Sequence, residues 1–414
     1  MPEEPAEGGK FDEPRCRERR RIRACNVGSP TTIAHRVTLH RNFSAGPGAL
    51  PHEVLLGTQR AILELPGTGV SILGLGHRTP LFRAILDETE ERLRRVLALP
   101  ESVHVLFLQG GGTMQFSMIP MTMLARGGVA DYVASGYWSG KAIETARHHG
   151  EVRVVWDGAA GGFTELPREG EPLGGDGAAY LHYVSNETVE GLQLRWLPST
   201  RAPLVCDMSS DFLSKPLDVS PFSLVYAHAQ KNLGAAGVTI VLVRDEVVAR
   251  SRAARLPPLL GYDAHADARS IFHTPPVFAI YVVLLTLRWL MDDVGGLEEM
   301  GRRSAEKARL VREALAACGG FYRDEVRPAF ASDMNVTFRT PSPAIDAGFV
   351  ARAEAAGFVG IEGHRSRGGL RISLYNGVTV DDARAVAAFL REFAEEAAPV
   401  TASTETSTDC ASDP

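Results

Sequence analysis

The sequence predicts an α/β protein, with a large domain on a mainly parallel sheet and a small α+β domain on its C-terminal side. Three observations carry that expectation. The chain has 414 residues, 44% of them apolar, and 41 glycines, enough for a large core with a smaller unit attached. Between residues 103 and 243, short β-rich apolar runs alternate with amphipathic helical patterns, as in a parallel sheet covered by helices. Beyond an apolar stretch at 275–291, the pattern changes to long helices separated by isolated strands.

Taken in order, the elements are these. Residues 1–38 are polar and charged, with Arg15, Arg17, Arg19, Arg20, Arg21 and Arg23 in a dense run flanked by acids. They predict a disordered tail; a nucleic-acid arm, or upstream sequence from a misplaced start, are the other readings. Strands are predicted at 103–108 (VHVLFL), 131–134, 180–184, 204–206, 224–227 and 238–243, with helices at 115–124 and 139–148. The run at 275–291 contains Arg288, and its uncharged part falls short of the ~20 residues that cross a bilayer, so it predicts a buried helix. Helices at 297–317, 351–356 and 380–397 and strands at 335–338 and 371–375 follow. The Ser/Thr-rich stretch 399–414 predicts a second disordered tail.

Bulk properties exclude several classes. A net charge of −6 makes nucleic acid an unlikely partner for the body of the chain. Cys16, Cys25, Cys206, Cys318 and Cys410 are odd in number and lack CxxC spacing, which argues against a disulfide framework or a zinc site, and no metal is expected. No secretory signal is visible at the N-terminus, so a cytoplasmic protein with no membrane association is expected.

In an open α/β sheet, ligands bind beyond the carboxyl ends of the strands. After 103–108 comes Gly110-Gly111-Gly112-Thr113 and a helix, a seat for a phosphate. After 131–134 comes Gly136-Tyr137-Trp138, which offers a flat ring. Then follow Ser185-Asn186-Glu187-Thr188 after 180–184, Asp207 after 204–206, and His228-Ala229-Gln230-Lys231 after 224–227. Singly, each has a bland explanation: a strand-helix turn, a core tryptophan, a helix cap, a surface lysine. Together, in chain order, they supply what pyridoxal 5'-phosphate (PLP) requires: an amine, an acid for the pyridine nitrogen, a stacking face, a donor to the phenolic oxygen and a phosphate cup.

Asn42-Phe43-Ser44-Ala45-Gly46-Pro47, His77-Arg78, Gly136-Tyr137-Trp138, Asn186-Glu187-Thr188, Ala229-Gln230-Lys231-Asn232, Thr274-Pro275-Pro276, Gly363-His364-Arg365 and the run from Gly369 to Asn376 resemble the phosphoserine aminotransferase family, class V (fold type I) PLP enzymes. The similarity runs from about residue 41 to 395. It implies a seven-stranded type of sheet and a homodimer with active sites at the subunit interface. The implied boundaries are 39–57 for an N-terminal segment packing with the small domain, 58–295 for the large domain and 296–398 for the small one. The resemblance assigns Lys231 to the Schiff base, Asp207 to the pyridine nitrogen, Trp138 to ring stacking and Thr188 to the phenolic oxygen. The Gly112 and Thr113 amides and the Gln230 side chain would hold the phosphate, completed by His273 and Thr274 of a neighbouring subunit.

For substrates, Arg371 would take the α-carboxylate, and His77, Arg78, His364 and Arg365 would form a distal anion site, as guanidinium forks suit phosphate and carboxylate alike. Two departures bear on the acceptor: His273 stands where many relatives have Asn, and Gly74-Leu75-Gly76 loosens the approach to His77. The expected reaction is amino transfer between L-glutamate and 3-phosphohydroxypyruvate in serine biosynthesis. A related phosphorylated or phosphonate 2-oxo acid is the alternative acceptor, and a catalytically silent PLP-fold binding protein the non-enzyme alternative. A cysteine desulfurase is disfavoured, since Cys318 and Cys410 lie in a helix end and a tail.

Overall fold

The computed structural model describes residues 39–125, 127–324 and 326–404, with the side chains of 398–404 left aside. The expected tail at 1–38, with its arginine run, and residues 405–414 lie outside the described residues. In chain order the strands are β1 (Arg41–Asn42), β2 (Val103–Leu108), β3 (Val129–Ala134), β4 (Glu151–Asp157), β5 (Leu181–Val184), β6 (Asn186–Glu187), β7 (Leu192–Gln193), β8 (Leu204–Asp207), β9 (Phe222–His228), β10 (Thr239–Arg244), β11 (Asn335–Phe338), β12 (Phe358–Val359) and β13 (Leu370–Ser373). The α-helices are α1 (His52–Leu63), α2 (Pro80–Val96), α3 (Gly111–Met123), α4 (Tyr137–Ala146), α5 (Asp245–Ala254), α6 (Tyr262–Asp267), α7 (Val277–Arg288), α8 (Leu297–Ala316), α9 (Pro343–Ala355) and α10 (Val380–Thr404).

Seven strands form the central sheet in the order β2-β10-β9-β8-β5-β3-β4. Pairings from β9 through β8, β5 and β3 to β4 are parallel, while β10 runs antiparallel to both β2 and β9. The interior strands are apolar and buried along their length, as expected where helices cover both faces. Apolar cores lie on both faces: one includes Phe107, Leu181, Val225 and Ile280, the other Phe116, Tyr132, Tyr226 and Val241. A third core gathers Phe43, Val336, Phe349, Ile372 and Leu390 around β11, β13, α8 and α10, and β1 pairs with β12 beside it.

Several expectations need correction. β4 is missing from the sequence reading: it is an edge strand, only partly covered, so its EVRVVWD pattern lacks the apolar run that betrays a buried strand. α3 begins at Gly111, not 115, because the glycines form its first turn and carry no side chains to show a helical period. α1 and α2 had no assignment at all; α2 opens with a Thr79 cap whose hydroxyl accepts from Phe82 N. The stretch 275–291 divides into α7 and a π-helical turn, Trp289–Val294. No helix among the described residues is long and apolar enough to cross a membrane. α10 continues to Thr404, so 399–404 of the expected tail are helical; extending an existing helix is far easier than starting one.

Candidate active site

The carboxyl ends of β2, β3, β5, β8 and β9 converge on one cavity of about 200 Å³, lined by Gly112, Thr113, Trp138, Asp207, Gln230 and Lys231 among others. Asp207 is the last residue of β8 and is buried, its Oδ1 accepting from Ser209 N at 2.8 Å. Burial raises its carboxyl above the ordinary range, opposed by bonds from Ser209 and by the Lys231 charge. Three residues past β9, Lys231 is buried, and its Nζ lies 5.5 Å from the centre of the Trp138 ring. That Nζ has no hydrogen-bond acceptor among the described residues. Burial lowers it to about 8, with Arg371 adding to the effect and Asp207 opposing it.

Trp138 sits in the first turn of α4, and its indole Nε1 donates to Thr188 Oγ1 at 3.0 Å. Gly112 and Thr113 lie in the first turn of α3, where amides have no partner within the helix. The segment after β1 closes in from the other side. Gly48 N donates to Gln230 O at 2.8 Å, and a methyl group on Gly48 would lie 2.6 Å from the Tyr375 ring. Glycine at 48 is therefore a matter of room.

Arg371 on β13 is buried. Its Nη1 donates to Thr188 O at 2.8 Å, while its Nε is buried without a partner. His364 and Arg367 line a recess with Arg371, and the His364 ring lies 4.7 Å from that of Tyr137. Arg365, expected beside His364, is exposed and is not part of this lining; its neighbour Arg367 is. The reason is the turn His364–Arg367, in which Arg367 N bonds back to His364 O and reverses the chain.

Within one chain, His77, Arg78, His273 and Thr274 do not line the Lys231 cavity. His77 and Arg78 precede the Thr79 cap of α2. His273 stacks edge-on against His265 at 5.6 Å with its Nδ1 buried and unpartnered, and Thr274 O accepts from Gln109 Nε2 at 3.0 Å.

The sequence reading named Glu187 only within a polar cluster, with no role of its own, and did not name the second buried acid, Glu190, or the Ser209 partner of Asp207. Glu187 accepts from Trp138 N (3.0 Å) and Ser139 N (2.8 Å), and Glu190 from Tyr137 N (3.1 Å). A clue existed: Gly136 has no side chain to cap the helix that follows it, so the cap must come from elsewhere.

Comparison with known proteins now decides the family. The sequence profile of Aminotransferase class-V matches residues 40–386. The chain belongs to the class-V aminotransferase family. Within it, the phosphoserine aminotransferase of Laribacter hongkongensis is 44% identical over 353 residues, covering 85% of this chain and 98% of that protein. The solved phosphoserine aminotransferase of Bacillus circulans subsp. alkalophilus superposes with a TM-score of 0.84 at 44% identity, covering 86% of this chain and 99% of that one. A PLP-bound phosphoserine aminotransferase from Trichomonas vaginalis has a TM-score of 0.80 at 31% identity, over 85% and 99% of the two chains.

Proposed function

We propose that the chain transfers an amino group reversibly between L-glutamate and 3-phosphohydroxypyruvate, giving O-phospho-L-serine and 2-oxoglutarate, with PLP as cofactor. One observation carries this reading: the amine of a buried lysine, with no acceptor among the described residues, opens onto a cavity that it shares with an aromatic ring and a buried carboxylate, and Arg371 with its orphaned Nε lies in the adjoining recess. The donor set fits PLP, and the high identity to phosphoserine aminotransferases supports the substrate.

PLP, when bound, supplies an electron sink for the charge that develops at the substrate Cα. Lys231 would hold the cofactor through its Nζ, and the same amine would carry the proton at the substrate Cα. Asp207 keeps the pyridine nitrogen protonated, and Ser209 N fixes the carboxylate that does so. Trp138 provides the stacking face. Because Thr188 Oγ1 already accepts from Trp138, its own hydrogen is left to donate to the phenolic oxygen. The Gly112 and Thr113 amides and the Gln230 side chain hold the phosphate, with His273 and Thr274 contributed by a second copy. Arg371 binds the α-carboxylate; His77, Arg78, His364 and Arg365 form the distal anion site, some of them contributed by the second copy, since within one chain Arg365 does not line the recess beside Arg371. This scheme takes the enzyme as a cytoplasmic homodimer of serine biosynthesis, with a large domain over 58–295 and a small one over 296–398.

The test is a visible absorption spectrum of the purified protein before and after L-phosphoserine, with L-alanine as control. A PLP band that phosphoserine alone bleaches supports the cofactor, the reaction class and the distal site together. Absence of any PLP band after reconstitution would remove Lys231 from its role.

A further inference from the structure

The first turn of α4 carries the Trp138 ring, yet its cap is borrowed. Both borrowed acids are almost completely buried, Glu187 at 1% and Glu190 at 5% exposure. They press on the same Cα: a methyl group on Gly136 would collide with Glu190 Oε2 and lie 2.9 Å from Glu187 Cδ. Neither carboxyl forms an ion pair among the described residues, and Glu190 Oε2 has no hydrogen-bond partner.

Two buried carboxyls packed against one Cα, neither of them in an ion pair among the described residues, resist being ionised together. Helix amides and the α4 dipole stabilise one charge. Glu187, with two amides and the Ser135 hydroxyl, holds that charge; Glu190, with one amide and a bare oxygen, holds the proton. Burial first, and then the Glu187 charge, push the Glu190 carboxyl up to about 8. The groups facing it are Glu187 from its own segment, Tyr137 from α4, Arg367 from the loop before β13 and Arg371 from β13, with the His364 ring tilted against Tyr137.

We propose that Glu187 and Glu190 are a proton-sharing carboxyl pair that positions Trp138 and leaves Arg371 free to bind a carboxylate ligand. This rests on the site reading above. Arg371 hangs on the same segment through Thr188 O, so the pair and the ligand site share one piece of backbone. When Glu190 loses its proton, Arg371 acquires an anionic competitor inside the protein, and the α4 turn faces a second charge. Carboxylate affinity then falls as pH rises through the Glu190 ionisation.

Glutarate tests this, since both its carboxylates stay ionised and it has no amine to titrate. Its Kd for the PLP-loaded enzyme is measured from pH 7 to 9.5, for wild type and for Glu190→Gln, which is neutral throughout. Wild type should weaken by about tenfold or more, and E190Q by less than about threefold, because only the protonated fraction binds well. Parallel curves for the two proteins, or a flat wild-type curve, overturn the proposal while leaving the site reading intact. No glutarate binding to the loaded wild type at any pH overturns both. Should E190Q fail to fold, Glu187→Gln decides: removing the neighbouring charge should move the midpoint of the wild-type curve to lower pH, and an unmoved midpoint overturns the pair.

Discussion

Lys231 in the large-sheet region and Lys307 on α8 are both buried, at 9% and 1% exposure, and burial lowers them to about 8 and about 7. By titration alone, Lys307 is the more perturbed. Their surroundings separate them. Lys307 Nζ donates to Leu374 O and Tyr375 O, each at 2.8 Å, and so pins the backbone just after Arg371. Lys231 Nζ has no acceptor among the described residues and opens onto the cavity that Asp207 and Trp138 share. A depressed amine is therefore weak evidence of catalysis; a depressed amine without partners, facing a carboxylate and a cavity, is much stronger. The first lysine is available to chemistry, while the second holds the fold.

Substitutions can break that contrast. Lys231→Ala should have the largest effect, reducing amino transfer from phosphoserine to 2-oxoglutarate by at least about 10⁴-fold through loss of both the cofactor anchor and the proton carrier. Steady-state assay of the PLP-reconstituted variant checks this, and wild-type-like turnover would refute the assignment. Asp207→Asn comes next, with a fall in kcat on the order of 10³ as the electron sink weakens. Normal kcat in that variant would show that Asp207 does not face the pyridine nitrogen.

Lys307→Met should leave kcat within about tenfold but destabilise the fold by about 2–4 kcal/mol, because two buried carbonyls lose their donor. Denaturant unfolding beside the kinetic assay separates the two effects. The smallest effect is a slope with pH. Lys307 titrates at about 7 in the folded chain against an ordinary 10.5, so between those values the unfolded chain binds more protons. Its contribution to stability is least favourable below pH 7 and rises with pH across that window. The stability advantage of wild type over K307M should widen from pH 7 to 10; a narrowing advantage would contradict the burial of Lys307.

How much of the site was legible can be read from particular residues. Asp207, Lys231, Trp138, Gly112 and Thr113 stand immediately after predicted strands, and the structure brings all five to one cavity. Arg371 and Thr188 join them through a single hydrogen bond from strand β13. Arg365 and Arg367 show what a local pattern leaves open: within a tight turn, two residues of register separate the guanidinium that lines the recess from the exposed one, and the turn is set by its own hydrogen bonds. Glu187 and Glu190 were visible as letters but not as a pair. Their separation of three suggested nothing, because Glu187 ends the short strand β6 and Glu190 lies in the turn after it, not on a helix face.

The sequence by itself determined the class of the fold, the strands at the centre of the sheet and the chemistry at their ends. Those features are local: an apolar run long enough to be buried makes a strand, and the rule for open α/β sheets says where to look next. Only the tertiary structure decided that β10 runs against its neighbours, that one buried lysine is tied while the other is open, and that two acids around residue 190 cap a helix beginning at Tyr137. Each of these depends on packing between segments far apart in the chain, and no local pattern of residues encodes the distance between them.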